Sequence, residues 1–252
     1  MPTSMSKQWP ICSITCCPTR NVSQSIANPP SAPVTRSIRG LTLMPLRIIA
    51  GQRGGFKLEA PHNRRTRPTS DRVRESVFNI LGELVEGATA IDLFAGTGAM
   101  GLEALSRGAS RAVLVEHDRE TVQVIKRNLA HVRYEDRVEV VAGDAYRHAR
   151  GLRFQPGDPP VILFLDPPYV EYERNWKKLR DLLHHLWINL PVDSAIVLEA
   201  GERLREGLLP EPSQWDLRRY GGTTIALAVK SQVDPSEPPS EEGETRPDQP
   251  EA

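Results

Sequence analysis

Two loops contain the residues of this chain that are best suited to chemistry. The first is the glycine-rich segment 92–101, DLFAGTGAMG, and the second is the segment 166–169, DPPY. Each follows a short apolar run of the kind that forms a buried strand. Glycine lets the backbone approach a ligand closely because no Cβ intervenes, whereas the second loop combines a carboxylate, two rigid prolines and an aromatic ring. We therefore predict a nucleotide-like cofactor at the first loop and a substrate amine at the second.

The first loop is compatible with two cofactors. Gly96, Gly98 and Gly101 match the glycine pattern of dinucleotide-binding loops, and Glu116 follows at the distance expected of a ribose acceptor. A nicotinamide dinucleotide and S-adenosyl-L-methionine therefore both stay open. Asp92 favours S-adenosyl-L-methionine, because a carboxylate can bind the amino acid end of that cofactor but repels a pyrophosphate.

Two further aspartates follow predicted strands. Asp144 could accept a hydrogen bond from an adenine amino group, or it could cap the helix that begins at Ala145. For Asp118 we predict only the capping role. The predicted cofactor-binding residues are Asp92, Phe94, Gly96, Gly98, Gly101, Glu116 and Asp144.

The second loop suits methylation of an exocyclic amine on a base, whose nitrogen lone pair is delocalised into the ring. The Asp166 carboxylate and the Pro167 carbonyl can each accept an amine hydrogen, which turns the lone pair toward a methyl donor. Tyr169 can stack on the base, a contact worth about 1 to 3 kcal/mol. The alternative is a structural Asp-Pro turn with a packing tyrosine. The predicted catalytic residues are Asp166, Pro167, Pro168 and Tyr169.

The loops require a sheet that brings strand ends together. Strand-like runs at 89–94, 111–116, 138–142, 161–165 and 194–199 alternate with helical patterns at 100–107, 120–132, 145–152 and 176–190. This alternation predicts a parallel, doubly wound sheet. Two last runs, 215–220 and 223–229, flank Gly221-Gly222 and predict a hairpin. We therefore expect an α/β fold of class I methyltransferases, with a Rossmann-like, mostly parallel seven-stranded sheet and a small N-terminal β/α extension.

Composition divides the chain further. The net charge is zero, but residues 1–43 carry no acidic side chain and residues 231–252 are acidic and rich in proline. We expect 1–43 to be a disordered extension, or to precede the true start at Met44, and 231–252 to be a disordered tail. Between them we predict a basic, RNA-contacting element at 44–87 and a methyltransferase domain at 88–230. All three cysteines lie in the first segment, and we expect no metal site and no membrane span.

The element at 44–87 contains most of the predicted nucleic-acid contacts. Ser70 or Asp71 can cap a helix that turns Val73, Val77, Phe78 and Leu81 inward. Its arginines either form a solvated helix face or bind phosphates, and we favour the second interpretation. The predicted RNA-binding residues are Arg53, Lys57, Arg64, Arg65, Arg67, Arg72 and Arg74.

Together these motifs resemble the RsmD family. The resemblance covers about 45–230 and rests on RIIAGQ, RPTSDRVRESVFN, DLFAGTGAMGLEALSRGA and DPPY. It implies methylation of N2 of a guanine in bacterial 16S rRNA with S-adenosyl-L-methionine. The implied substrate is the small ribosomal subunit or a late precursor, with ribosomal proteins as further partners, and the implied enzyme is a cytoplasmic monomer. The family usually reads WRG where this chain has Arg53-Gly54-Gly55.

Three alternatives stay open. The DPPY loop also serves methylation of adenine N6 in DNA or RNA. A non-catalytic RNA-binding assembly factor could retain the same fold, although the intact Asp166 and glycines argue against it. A nicotinamide dehydrogenase is the weakest alternative, because no catalytic acid, base or metal constellation accompanies the glycines.

Overall fold

The computed structural model describes residues 46–61, 70–201, 204 and 207–231. The strands are β1 (Thr89–Asp92), β2 (Arg111–Glu116), β3 (Val138–Ala142), β4 (Val161–Leu165), β5 (Ala195–Ala200), β6 (Trp215–Tyr220) and β7 (Thr223–Val229). The helices are α1 (Asp71–Leu81), α2 (Ala99–Ser106), α3 (Arg119–Val132), α4 (Ala145–Gly151), α5 (Tyr169–Arg174) and α6 (Trp176–Asn189). The predicted segment 1–43, all but the first residue of 231–252, and Arg64, Arg65 and Arg67 lie outside the described residues.

All seven strands form one sheet in the order β3-β2-β1-β4-β5-β7-β6. Strands β1 to β5 are mutually parallel, and β7 lies antiparallel between β5 and β6. The predicted doubly wound, mostly parallel sheet with a closing hairpin is therefore confirmed. Strand order reverses between β1 and β4, and in such sheets ligands bind beyond the carboxyl ends of the strands at this switch point.

Helices cover both faces of the sheet. Helices α1, α2 and α3 pack on one face through side chains such as Phe78, Leu102 and Ile125. Helices α4 and α6 pack on the other, where α6 buries the predicted stripe of Leu179, Leu182, Leu183, Leu186 and Trp187. The sheet is thus shielded from water on both sides, which explains why β1 and β4 are buried along their whole length.

The predicted helix starts are confirmed by their caps. The Ser70 hydroxyl accepts a hydrogen bond from the Val73 amide at 3.3 Å, and the Asp118 carboxylate accepts one from the Thr121 amide at 2.9 Å. The N-terminal extension differs from expectation, because its predicted strand is reduced to a single antiparallel bridge between Arg47 and Lys57.

One buried carboxylate attaches this N-terminal segment to the domain. Glu103 of α2 is fully buried and accepts hydrogen bonds from the amides of Ile49 at 2.6 Å and Ala50 at 3.1 Å. The Glu103 carboxylate also forms an ion pair with Arg107, whose Nε lies 2.7 Å from Glu103 Oε1. A charge this deep in the protein is tolerated only when such donors surround it. Segment 46–59 is therefore held in place by these polar contacts together with the buried side chains of Ile48 and Leu58, rather than by a sheet ladder.

We predict that Glu103→Gln destabilises the protein by about 3 to 5 kcal/mol, because the amide leaves Arg107 without its buried counter-charge and turns a donor toward other donors. Urea unfolding measures this loss, and limited proteolysis within 46–59 locates it. Glu120→Gln, an exposed change on α3, is the matched control. Equal stability of the two variants would contradict the anchoring role.

A second prediction concerns helix packing. A Cβ at Gly101 would lie 2.3 Å from the Cδ2 of Leu114, whereas one at Gly151 would meet no atom within 4 Å. Gly101→Ala should therefore destabilise by about 1 to 3 kcal/mol through overpacking. Gly151→Ala should be neutral or stabilising by up to about 1 kcal/mol. Urea unfolding of both variants checks the contrast, and similar free energies would refute it.

Candidate active site

A cavity of about 420 Å³ lies at the carboxyl ends of the parallel strands. The first loop lines it from Asp92 through Thr97, and the second loop contributes Asp166 and Pro168. The remaining acidic residues of its wall are Glu116, Asp118, Asp144, Glu171 and Glu199. The structure therefore brings the two predicted loops together in one cavity whose wall is rich in carboxylates.

The first loop is fixed by Glu116 at the end of β2. Its two carboxylate oxygens accept hydrogen bonds from the Gly96 amide at 3.0 Å and the Asp118 amide at 2.8 Å. Gly96 has a φ of 51°, a left-handed conformation that favours glycine. Each carboxylate oxygen has a second lone pair, so Glu116 can also accept from a ligand hydroxyl.

Asp92 lies at the base of the cavity and is 3% exposed. Burial raises the pKa of its carboxyl group to about 7, and the neighbouring charge of Glu116 adds to this effect. The Phe94 amide, 3.3 Å from Oδ1, opposes it. Because the carboxylate is poorly solvated, a cation bound beside Asp92 would be strongly favoured.

Two of the predicted cofactor-binding glycines have another role. Gly98 and Gly101 do not line the cavity; their Cα positions face β2, where a Cβ would lie 3.2 Å and 2.3 Å from the side chain of Leu114. Contact of Gly98 and Gly101 with a cofactor stays a prediction. They allow α2 to approach the sheet closely, which fixes the loop between β1 and α2.

Asp144 has the predicted capping role and also lines the cavity. Its Oδ1 accepts a hydrogen bond from the Arg147 amide at 2.7 Å and thereby caps α4, while the residue also lines the cavity. Phe94 lines the same wall and packs edge-on against Tyr146, with ring centroids 6.1 Å apart. A cofactor-binding role for Asp92, Phe94, Gly96, Glu116 and Asp144 stays a prediction.

The second loop presents Asp166 to the cavity and begins α5. Asp166 is exposed to the cavity, yet the surrounding walls limit its hydration and, with the charges of Glu199 and Asp92, hold its pKa well above the usual range. Pro167 is buried. Tyr169 does not line the cavity and is 61% exposed. Its ring lies close to Gly201.

Four residues that the sequence analysis missed hold α5 over the cavity. The Tyr146 hydroxyl donates to Glu171 at 2.7 Å, and the Tyr172 hydroxyl donates to the backbone carbonyl of Glu199 at 2.7 Å. Burial and the nearby charges of Asp166 and Glu199 raise the pKa of Tyr172, so it remains a donor. Only Glu199 carried a sequence signal, because it lies near the end of a predicted strand.

Arg74 requires a correction among the predicted RNA contacts. It is 1% exposed, and its Nη2 donates to the carboxylate of Asp71 at 2.9 Å and to the carbonyl of Arg47 at 2.6 Å. Its Nε lies 3.9 Å from Glu103, and burial lowers the pKa of the guanidinium. A side chain held inside the protein cannot bind phosphates from a solvated helix face, so Arg74 belongs to the Glu103 network.

The other described basic residues divide into two kinds. Arg53 is half-buried, donates from Nε to the Val132 carbonyl at 3.0 Å and packs over the ring of Tyr134, which makes it mainly a packing residue. Lys57 and Arg72 are exposed, so RNA contact stays a prediction for them. The predicted contacts at Arg64, Arg65 and Arg67 lie outside the described residues.

Two negative findings apply to the described part of the chain. Its histidine, cysteine, aspartate and glutamate side chains form no group of three or more that could hold a metal ion. Its helices include none that is both long and apolar enough to cross a membrane.

Comparison with known proteins places the chain among methyltransferases. The family model described as "Conserved hypothetical protein 95" matches residues 46–229. "Ribosomal RNA small subunit methyltransferase D" of Escherichia coli (strain K12) is 38% identical over 179 residues, which are 69% of this chain and 83% of that protein. "Putative rRNA methyltransferase YlbH" of Bacillus subtilis (strain 168) is 39% identical over 194 residues, or 73% and 99% of the two chains.

A solved structure supports the same assignment. "Putative methyltransferase yhhF from Escherichia coli" is 34% identical, covers 75% of this chain and 99% of its own, and superposes with a TM-score of 0.59. The fold is therefore the class I methyltransferase fold expected from the sequence. Given this fold and a family model that spans both loops of the cavity, the chain belongs to the RsmD family.

Proposed function

We propose that this protein transfers a methyl group from S-adenosyl-L-methionine to N2 of a guanine in the 16S rRNA of the small ribosomal subunit, in the cytoplasm. The observation that carries the proposal is the single cavity shared by the loop 92–97 and by Asp166 and Pro168. Relatives that match most of the chain and are named as rRNA methyltransferases support the choice of substrate.

The cavity suits this cofactor in charge and in size. S-adenosyl-L-methionine carries an ammonium group, a sulfonium, ribose hydroxyls and an adenine amino group, which are cations or donors, and only one anionic group, its carboxylate. Asp92, Glu116 and Asp144 offer acceptors along the cavity wall, and the volume of about 420 Å³ is in the range of small-molecule sites. When bound, the cofactor would supply a sulfonium-activated methyl group, whose bond to sulfur breaks as its bond to the substrate nitrogen forms.

Asp166 and Pro167 would act on the nitrogen. Each accepts one amine hydrogen, which orients the lone pair and offsets the positive charge that develops as the new bond forms. The nitrogen must then lose a proton. Asp166 can accept it, because burial raises the pKa of its carboxyl group and so makes the carboxylate a stronger base. The exposed ring of Tyr169 can stack on the target base after the base leaves the RNA helix.

The surface next to the cavity would contact the RNA backbone. Exposed Lys57 and Arg72 belong to the N-terminal element that Glu103 fixes to the domain, and cations of this kind bind phosphates without regard to sequence. We infer that these contacts position the substrate, whereas the cavity selects the base.

The direct experiment is transfer of labelled methyl groups from S-adenosyl-L-methionine to unmodified small subunits, free rRNA and DNA, followed by nucleoside analysis. N2-methylguanosine from rRNA supports the proposal. N6-methyladenosine would instead assign the protein to the adenine class. The absence of label from all three substrates would favour an assembly factor without catalytic activity.

We predict that Asp166→Asn lowers the rate of transfer by about 10²- to 10³-fold, because the substrate amine loses its charged acceptor. Affinity for S-adenosyl-L-methionine should change by no more than about threefold, since the amide keeps the volume of the side chain. Single-turnover kinetics and calorimetry separate the two quantities. Asp136→Asn, an exposed change away from the cavity, should leave both unchanged. Equal loss of affinity and rate in Asp166→Asn would contradict the assigned role.

Asp92→Asn should weaken cofactor binding by about tenfold or more, because the ammonium group loses its ion pair.

In the free protein, Asp92→Asn should increase the free energy of unfolding over that of the wild type, and this gain should be larger at about pH 8 than at about pH 5. The sign follows from a raised pKa: between the unfolded value of 3.8 and the folded value of about 7, the native state holds a proton that the unfolded state has lost, so stability falls as pH rises. Urea unfolding at both pH values tests this, and a variant less stable than the wild type at the higher pH would refute it.

A further inference from the structure

Glu199 lies beside Asp166 at the edge of the sheet. Leu165 of β4 pairs with Leu198 of β5 in parallel register. The residues that follow this pair, Asp166 and Glu199, are therefore also neighbours. Neighbouring strands are about 4.8 Å apart, and both residues line the cavity. Two carboxyl groups therefore face the position at which the substrate amine would be methylated.

The surroundings fix Glu199 in this position. The Tyr172 hydroxyl donates to the backbone carbonyl of Glu199 at 2.7 Å. Val197 of β5 and Ile225 of β7 line the same wall of the cavity and are buried. Because the three groups are close together, the charge of Glu199 contributes, after burial, to the raised pKa values of both Asp166 and Tyr172. A cationic cofactor in the cavity would favour the ionised forms of both carboxyl groups.

A second carboxylate beside the amine distinguishes between bases. In guanine the N2 amino group lies next to an N1–H, so this edge of the base presents adjacent donors. In adenine the N6 amino group lies next to N1, which is an acceptor and would face the carboxylate unfavourably. A half-buried carboxylate that meets a donor on one base and a lone pair on the other discriminates between them, because two acceptors placed against each other repel.

We propose that Glu199 is a specificity-determining residue that accepts the N1–H of the target guanine while Asp166 accepts from the N2 amino group. This inference rests on the proposed function and extends it, since it names the group that selects guanine over adenine.

The test compares guanine with 2-aminopurine, which keeps the amino group at C2 but has an unprotonated N1. Nucleoside mapping first locates the guanine that the wild-type protein methylates in unmodified small subunits. Subunits are then reconstituted with guanine or 2-aminopurine at that position. Initial rates of methyl transfer are measured for the wild type, for Glu199→Gln and for Glu173→Gln, an exposed control on α5 that does not line the cavity.

The wild type should prefer guanine by at least about tenfold. Glu199→Gln should lose most of this preference by slowing guanine methylation while 2-aminopurine methylation changes little, and Glu173→Gln should behave as the wild type. Glu199→Asp, which keeps the charge, should retain part of the preference and guards against a variant that fails to fold. An equal decrease on both substrates, or an unchanged ratio, would overturn the role of Glu199. Failure of the wild type to form N2-methylguanosine would instead overturn the proposed function itself.

Discussion

The site depends on one constraint: five parallel strands end at the same edge of the sheet, and each brings a carboxylate to it. Asp92, Glu116, Asp144, Asp166 and Glu199 all line the cavity beyond β1 to β5. Burial from water and, to a smaller extent, the neighbouring negative charges disfavour ionisation of Asp92 and Asp166, which explains the raised pKa values of these two groups. Ionised Asp92 and Asp166 are therefore unfavourable until a cation joins them, and the proposed cofactor carries two cationic groups beside a single carboxylate.

The remaining parts of the fold keep this edge in a single geometry. Glu103 holds the N-terminal segment against α2, and Arg74 links the same network to α1. On the opposite side, the hydroxyls of Tyr146 and Tyr172 hold α5 in place after the second loop. Buried charges cost stability unless they are paired, so the protein places them where they position loops rather than in the apolar layers on the two sheet faces. A pre-formed site of this kind would orient the proposed substrate amine without reorganisation during the reaction.

Much of this arrangement could be predicted from the sequence, because strand and helix periods, caps and turn residues are local properties. The sheet, the hairpin at Gly221-Gly222 and the shared position of the two loops all follow from them. The sequence motif did not show that Gly98 and Gly101 also allow close packing, and the charge of Arg74 led to a wrong assignment, because both depend on what lies across from these residues in space. The side chain of Leu114 lies where a Cβ of either glycine would be close to it, and the buried carboxylate of Glu103 lies beside the guanidinium of Arg74. Glu199 was missed for the same reason, since only strand register brings it next to Asp166.

The central claim is that a cation relieves the unfavourable ionisation of this acidic edge. It is tested most directly by counting the protons exchanged when S-adenosyl-L-methionine binds at about pH 7, with calorimetry in buffers of different ionisation enthalpy. Because the pKa of Asp92 is about 7 in the free protein, an ammonium group beside it should displace part of a proton. The account predicts that the wild type releases more protons than Asp92→Asn on binding. Identical proton exchange in the two proteins would contradict it.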